Sequence, residues 1–195
     1  VGEVQSVCVY CSSSNKLSNI YKKAAIDLGT ILGRNNIRLV YGGGKRGLMG
    51  ILADASIKAG GQVTGFMTQF LYDYEGGNQK ITDLHIVGSM HERKQCMFAA
   101  SDAFIILPGG LGTLDETFEI MTWKQLGLHK KQIIIIDING YWRPLFDNFF
   151  SHMVKNHSIR KEDRNLFIMI SSVDNLLEIL RAPVPYMQNF VEKWG

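Results

Sequence analysis

Short unbroken apolar runs alternate along this chain with stretches whose apolar residues recur every three or four positions. The runs read as strands over residues 4–10, 37–41, 62–66, 84–87, 103–107, 132–136 and 167–170. Helical spacing marks 20–35, 48–59, 90–101, 113–126, 141–157 and 172–180 between them. Ala24, Leu28, Ile31 and Leu32 set the helical period in the first of these, and Gly60-Gly61 stops the second. The 141–157 stretch carries an aromatic face of Trp142, Phe146, Phe149 and Phe150. Residues 70–81 fit neither pattern. With Asp73, Glu75, Gly76, Gly77 and Asn78 they read as the longest irregular segment, a mobile flap beside a ligand.

Strands without polar alternation belong to a parallel sheet covered on both faces. The expected fold class is therefore α/β. It is a single Rossmann-like, doubly wound domain over residues 1–182, with a mainly parallel sheet of about six or seven strands flanked by helices. Residues 183–195 are expected to form a C-terminal tail, opened by Pro183 and Pro185 and carrying Tyr186, Phe190 and Trp194. In such a sheet ligands bind beyond the carboxyl ends of the strands, where the strand order reverses.

Composition narrows the class without changing that picture. The chain has 195 residues, enough for one domain with a real core; 46% are hydrophobic and 20% charged, which excludes disorder. A formal charge of +3 is too small to argue for nucleic-acid binding and fits a modest preference for anions. No apolar stretch reaches the roughly 18 to 20 residues of a membrane helix. The opening residues lack a basic-then-apolar signal pattern, so the expected location is the cytoplasm. Cys8, Cys11 and Cys96 read as three reduced thiols, with no second cysteine pair at zinc spacing and no metal site expected.

Three loops after strand ends carry candidate chemistry. Cys11-Ser-Ser-Ser14 offers hydroxyls and backbone amides to a phosphate or ribose. Tyr41-Gly-Gly-Gly-Lys-Arg-Gly-Leu-Met-Gly50 allows tight turns and close backbone approach, but Arg46 stands where a P-loop needs Ser or Thr after its lysine. Tyr41 also stands where a dinucleotide site needs an acid, which argues against a nicotinamide dehydrogenase. Pro108-Gly-Gly-Leu-Gly-Thr-Leu-Asp-Glu116 supports two readings. The start of a helix with exposed amides can seat a phosphate. Equally, Thr113-Leu-Asp-Glu116 matches a capping box, in which Thr113 caps the helix and Glu116 reaches back to it. In the preceding helix Met90, Arg93 and Met97 share one side, so Arg93 sits on a mostly apolar face and needs a carboxylate or phosphate partner. Lys94 and Glu92 read as surface residues.

Met90-His-Glu-Arg-Lys94 together with Pro108-Gly-Gly-Leu-Gly-Thr-Leu-Asp-Glu116 resembles the LOG ("Lonely Guy") family, over roughly residues 4–180 and without departure in either motif. The resemblance implies a homodimeric, cofactor-free enzyme. It would hydrolyse the N-glycosidic bond of cytokinin riboside 5'-monophosphates, such as isopentenyladenosine monophosphate, or of AMP. It implies catalytic roles for Arg93 and Glu116, with Gly109, Gly110, Gly112 and Thr113 at the phosphate end. Ser12, Ser13, Gly43, Gly44 and Met90 are then expected in the nucleotide pocket, joined by Lys94 and Leu111, and Asp115 and Glu119 beside the ribose or its water. Breaking the ribosyl C–N bond builds positive charge that a fixed carboxylate stabilises, which gives Glu116 a physical reason to be there. Family members were also once labelled possible lysine decarboxylases. That chemistry needs an electron sink such as PLP on a lysine, and nothing around Lys45 or Lys94 supplies the rest of such a site. The competing readings are a nucleotide or molybdenum-cofactor carrier without turnover, and a structural or regulatory dimer in which Arg93–Glu116 is a buried support pair.

Overall fold

The computed structural model describes residues 4–183, and the apolar residues expected in the tail lie outside the described residues. Seven strands form one sheet: β1 (Ser6–Tyr10), β2 (Arg38–Tyr41), β3 (Val63–Thr68), β4 (Asp83–Val87), β5 (Ala103–Ile106), β6 (Gln132–Ile136) and β7 (Ile168–Ile170). Every pairing is parallel, in the order β4-β3-β2-β1-β5-β6-β7. The chain builds outward from β1 to β4, then returns to lay β5 on the other side of β1. The order therefore reverses between β1 and β5, and a crevice opens beyond their carboxyl ends.

Successive strand residues face opposite sides, and both sides are covered. Val7, Val9, Ile105 and Ile134 pack under helices α1 (Asn19–Arg34) and α2 (Gly47–Lys58), through Leu28, Leu32, Leu48 and Leu52. Helix α7 (Leu176–Arg181) closes the same face with Leu176 and Leu180. Cys8, Tyr10, Phe104, Ile106 and Ile133 face the other way, onto Met97 of α4 (Met90–Ala99) and onto Ile120 and Met121 of α5 (Leu111–Gln125). This two-sided burial is why the five inner strands read as unbroken apolar runs, whereas the edge strands β4 and β7 have no fully buried residue.

Three segments depart from the sequence reading. Residues expected to be irregular after β3 begin with a helix, α3 (Gln69–Glu75). The Thr68 hydroxyl caps it by accepting from the Leu71 amide at 3.4 Å, and Gly76 at φ 68° ends it. None of its residues is buried, so it shows no apolar period to read. The long helix expected over 141–157 is instead a π-helical segment, Pro144–Phe149, running into α6 (Phe150–Lys155). Pro144 has no N–H to donate, and the wider turn leaves Phe149 half-exposed while Trp142, Phe146 and Phe150 are buried. The last helix starts at Leu176 rather than residue 172.

One core-facing residue does not suit its position. Lys124, near the end of α5, is 4% exposed, and no ion pair or hydrogen bond to its ammonium occurs among the described residues. Burial alone lowers its pKa from 10.5 to about 8. The unfolded chain then holds that proton more tightly than the folded one, so the cost of a buried charge is full below about pH 8 and is relieved towards 10.5. Lys124→Met is expected to raise the melting temperature at pH 7. The gap between variant and wild type should shrink as pH rises through that window. A constant gap in thermal melts from pH 7 to 10.5 would contradict a strained Lys124.

Candidate active site

The crevice at the strand-order reversal is a cleft of about 430 Å³. The β1 loop supplies Ser12, Ser13 and Ser14, the start of α5 supplies Gly110 to Thr113, and Arg93 and Glu116 reach in from α4 and α5. Met90, also from α4, lies at the wall. The β1 loop is stitched to its neighbours by backbone bonds, Ser12 N–H to the Pro108 carbonyl at 3.1 Å and Leu48 N–H to the Ser12 carbonyl at 2.9 Å. Gly47, at φ 60°, lies so close to Ser13 that an added Cβ would sit 2.4 Å from the Ser13 carbonyl carbon. Gly47 thus serves to bring α2 against the serine loop. Burial pushes the Cys11 thiol in the cleft wall well above its ordinary pKa, so it stays a protonated thiol.

Helix α5 begins two residues earlier than its sequence pattern indicates. Its N-cap is Gly110, no side chain caps it, and the first helical bond is Leu114 N–H to the Gly110 carbonyl at 3.0 Å. The amides of Leu111, Gly112 and Thr113 therefore have no acceptor within the helix. They stand at an exposed end where Leu111 is 85% accessible. The capping-box reading of Thr113 and Glu116 is overturned. Thr113 is the third residue of the helix and is buried against Gly109, and Glu116 points away from the cap. A true N-terminal cap of this kind occurs on α4, where the Ser89 hydroxyl accepts from Glu92 N–H at 3.1 Å and Glu92 accepts from Gly88 N–H at 2.7 Å.

Glu116 turns to Arg93 instead. Arg93 is 6% exposed and donates from three nitrogens: Nη1 to Glu116 Oε1 at 2.9 Å, Nε to the Phe66 carbonyl at 2.8 Å and Nη2 to the Gly42 carbonyl at 3.2 Å. Those carbonyls belong to β3 and to the turn after β2, so the guanidinium is fixed by the ends of two strands. Burial raises the Glu116 pKa above its ordinary value, while the Arg93 charge and hydrogen bond pull it down. The result is a carboxylate held in one orientation with one oxygen committed to Arg93.

Beside this pair runs a second one. Lys94 is buried rather than on the surface, because its ammonium lies 3.1 Å from both Asp115 Oδ2 and Glu119 Oε1. Burial disfavours the Lys94 charge, but these two carboxylates outweigh it and its pKa rises. Lys94, Asp115 and Glu119 do not line the cleft; they clamp α4 to α5. Gly43 and Gly44 are also absent from its lining. Gly43 packs against Met67 and Leu84, and Gly44 bridges to Gly77. Gly109 lies behind the cleft, its carbonyl accepting from the Tyr141 hydroxyl at 2.7 Å. The cleft gains Gly42, Met49, Leu71 and Glu75, which the sequence reading did not select. Glu75 did lie in the segment expected beside a ligand, but that segment offered no period from which to pick it.

The chain is similar to known proteins in sequence and in fold. Residues 49–180 match the family described as "Possible lysine decarboxylase". A cytokinin riboside 5'-monophosphate phosphoribohydrolase of Rhodococcoides fascians is 37% identical over 180 residues, 92% of this chain and 90% of that protein. One from Arabidopsis thaliana is 40% identical over 189 residues, 96% of this chain and 87% of the relative. Among solved structures, the molybdenum cofactor binding protein of Rippkaea orientalis superposes with a TM-score of 0.67 at 20% identity, covering 90% of this chain and 94% of that one. The molybdenum cofactor carrier protein of Chlamydomonas reinhardtii gives 0.67 at 17%, covering 90% and 95%. At those identities the likeness is one of fold.

The Arg93 seat makes a sharp demand on Gly42, where an added Cβ would fall 1.9 Å from Arg93 Nη2. Gly42→Ala is expected to push the guanidinium off its carbonyl and strain the Glu116 contact. The cost should be about 1.5 to 3 kcal/mol in denaturant unfolding, the range for hydrogen bonds to a charged group. An unchanged unfolding midpoint would show that Arg93 is not held as described.

Proposed function

The chain belongs to the LOG family, and from that premise we propose that it hydrolyses the N-glycosidic bond of nucleoside 5'-monophosphates. The substrates are cytokinin riboside 5'-monophosphates and AMP, and the products an adenine-type base and ribose 5-phosphate. One observation carries the reading: a buried arginine–glutamate pair in a cleft that also receives the uncapped start of a helix. The amides of Leu111, Gly112 and Thr113, with the helix dipole behind them, suit a phosphate dianion. Glu116 lies about one turn further along the same helix. A ribose 5-phosphate anchored by its phosphate can therefore present C1' to that carboxylate.

The chemistry follows from charge. As the C1'–N bond breaks, its electron pair leaves with the base, and positive charge develops on C1' and the ring oxygen. Glu116 in its ionised form stabilises that charge and orients a water. The water oxygen bonds to C1' and its proton passes to Glu116; the departing base takes up a proton from solvent, and Glu116 returns its own to solvent, so the net change is one water consumed. Arg93 has three of its donors committed to Glu116 and two backbone carbonyls. Its main task is then to keep Glu116 ionised and aligned in a site whose burial favours the neutral acid. The decarboxylase in the family's description finds less support. A Schiff-base lysine needs a free neutral amine, and Lys94 is paired with two carboxylates that favour its charged form.

Purified protein incubated with AMP or isopentenyladenosine monophosphate is expected to release base and ribose 5-phosphate, separable by chromatography. Glu116→Gln should retain nucleotide binding and lose about 10²- to 10³-fold in kcat, as for removal of a key electrostatic stabiliser. Normal turnover by that variant would refute the carboxylate role. Binding without base release by wild type would favour a carrier. Because the Glu116 pKa is raised, the acid limb of kcat against pH should lie above the ordinary glutamate value of 4.5. Adenosine, lacking the phosphate, should turn over far more slowly than AMP; equal rates would remove the phosphate seat at α5.

A further inference from the structure

The peptide between Gly109 and Gly110 lies in the loop that leads from β5 into α5. Two successive glycines leave it freer to turn than any other peptide of that loop, with no side chain on either flank to resist. Its orientation matters, because a trans peptide directs its C=O and N–H to opposite sides, and no peptide among the described residues is cis. The Tyr141 hydroxyl lies 2.7 Å from the Gly109 carbonyl. A carbonyl only accepts, so the hydroxyl donates. Tyr141 does not line the cleft and Gly110 does. The Gly110 N–H is therefore turned away from Tyr141, to the side where Gly110 meets the cleft. No acceptor for that N–H is found among the described residues.

Tyr141 is itself firmly placed. It stands on the turn after β6, the neighbour of β5 in the sheet. Asp137 pins that turn. Its N–H donates to the Ile170 carbonyl of β7 at 2.7 Å, and its carboxylate accepts from Trp142 N–H at 2.6 Å and from Arg143 Nε at 3.1 Å. Asn139 at φ 54° and Gly140 at φ 73° carry the chain round between those contacts. The Tyr141 ring meets Tyr21 of α1 edge-on at 5.5 Å between centroids, and Trp142 edge-on at 4.8 Å. Burial, with Tyr21 nearby, raises the Tyr141 pKa above its ordinary 10, so the hydroxyl keeps the proton it donates.

We propose that Tyr141 is a positioning residue for the phosphate seat. By holding the Gly109 carbonyl, its hydroxyl turns the Gly110 amide to the cleft, as a fourth donor beside those of Leu111, Gly112 and Thr113. Tyr141 acts through Gly110 and touches no substrate. This role rests on the phosphate seat proposed at α5, and it adds the residue that keeps a flexible glycine pair set for an anion before one arrives. A donor already aimed costs no reorganisation when the phosphate binds.

Tyr141→Phe removes the hydroxyl and keeps the ring on Tyr21 and Trp142. With AMP as substrate, KM should rise about three- to tenfold, as for one lost hydrogen bond, while kcat stays within about twofold because Arg93 and Glu116 are untouched. Adenosine brings no phosphate, so variant and wild type should hydrolyse it with the same kcat/KM. Equal losses on both substrates would make Tyr141 a merely structural residue and overturn the proposal, as would an unchanged KM for AMP. A second measurement needs no turnover: ribose 5-phosphate titrated into the full chain and followed by amide-resolved ¹H–¹⁵N NMR. The Gly110 amide should shift saturably in wild type, and the variant should bind about three- to tenfold more weakly. A Gly110 amide that stays silent in wild type would overturn the proposal whatever the variant does. Wild type that binds ribose 5-phosphate through Gly110 but releases no base from AMP would refute the hydrolase reading and still support the positioning role.

Discussion

The organisation of this protein depends on where one buried guanidinium finds its acceptors. Arg93 is enclosed at the carboxyl ends of the strands, and burying its charge is tolerable only because three acceptors surround it. Two are backbone carbonyls, which fix its position. The third is Glu116, which gains an orientation from the contact and a neighbouring positive charge. Gly42 has no side chain because the guanidinium occupies the space one would need. The neighbouring Lys94 pairs hold α4 and α5 at the spacing that lets Arg93 and Glu116 meet.

The sheet determines why this happens at one place. Strand order reverses between β1 and β5, so the loops after them diverge and leave room for a ligand. The start of α5 enters that room uncapped, with an anion preference at its first turn and a carboxylate at its second. These would conflict if a single group were bound there. They are compatible with a ligand that is negative at one end and becomes positive at the other.

Much of this was legible in the sequence, and the exceptions have physical causes. The five inner strands, buried on both faces, leave apolar runs that cannot be mistaken for half-exposed ones; the edge strands β4 and β7, with no fully buried residue, were visible only as short apolar runs. Arg93 was conspicuous as a charge on an apolar face. Exposed α3 hid its helix, because a helix that buries nothing needs no apolar stripe, and the polar breakers after it read as loop. Lys94 was hidden for the opposite reason: its partners Asp115 and Glu119 lie on another helix, and no spacing along one helix reports a pair formed between two. Gly43 and Gly44 looked like ligand contacts because a packing turn and a binding turn draw on the same residue. The choice between a capped helix and an open one turned on where the helix starts, a difference of two residues that the pattern of apolar positions does not fix.

The central claim is that Glu116 addresses the anomeric carbon while the first turn of α5 holds the phosphate. A crystal structure of the Glu116→Gln variant with bound AMP tests it most directly. The account predicts phosphate oxygens within hydrogen-bond distance of the Leu111, Gly112 and Thr113 amides, and C1' in contact with the side chain at position 116. A nucleotide bound in the opposite sense, with its phosphate on Arg93 and its base at the start of α5, would contradict it.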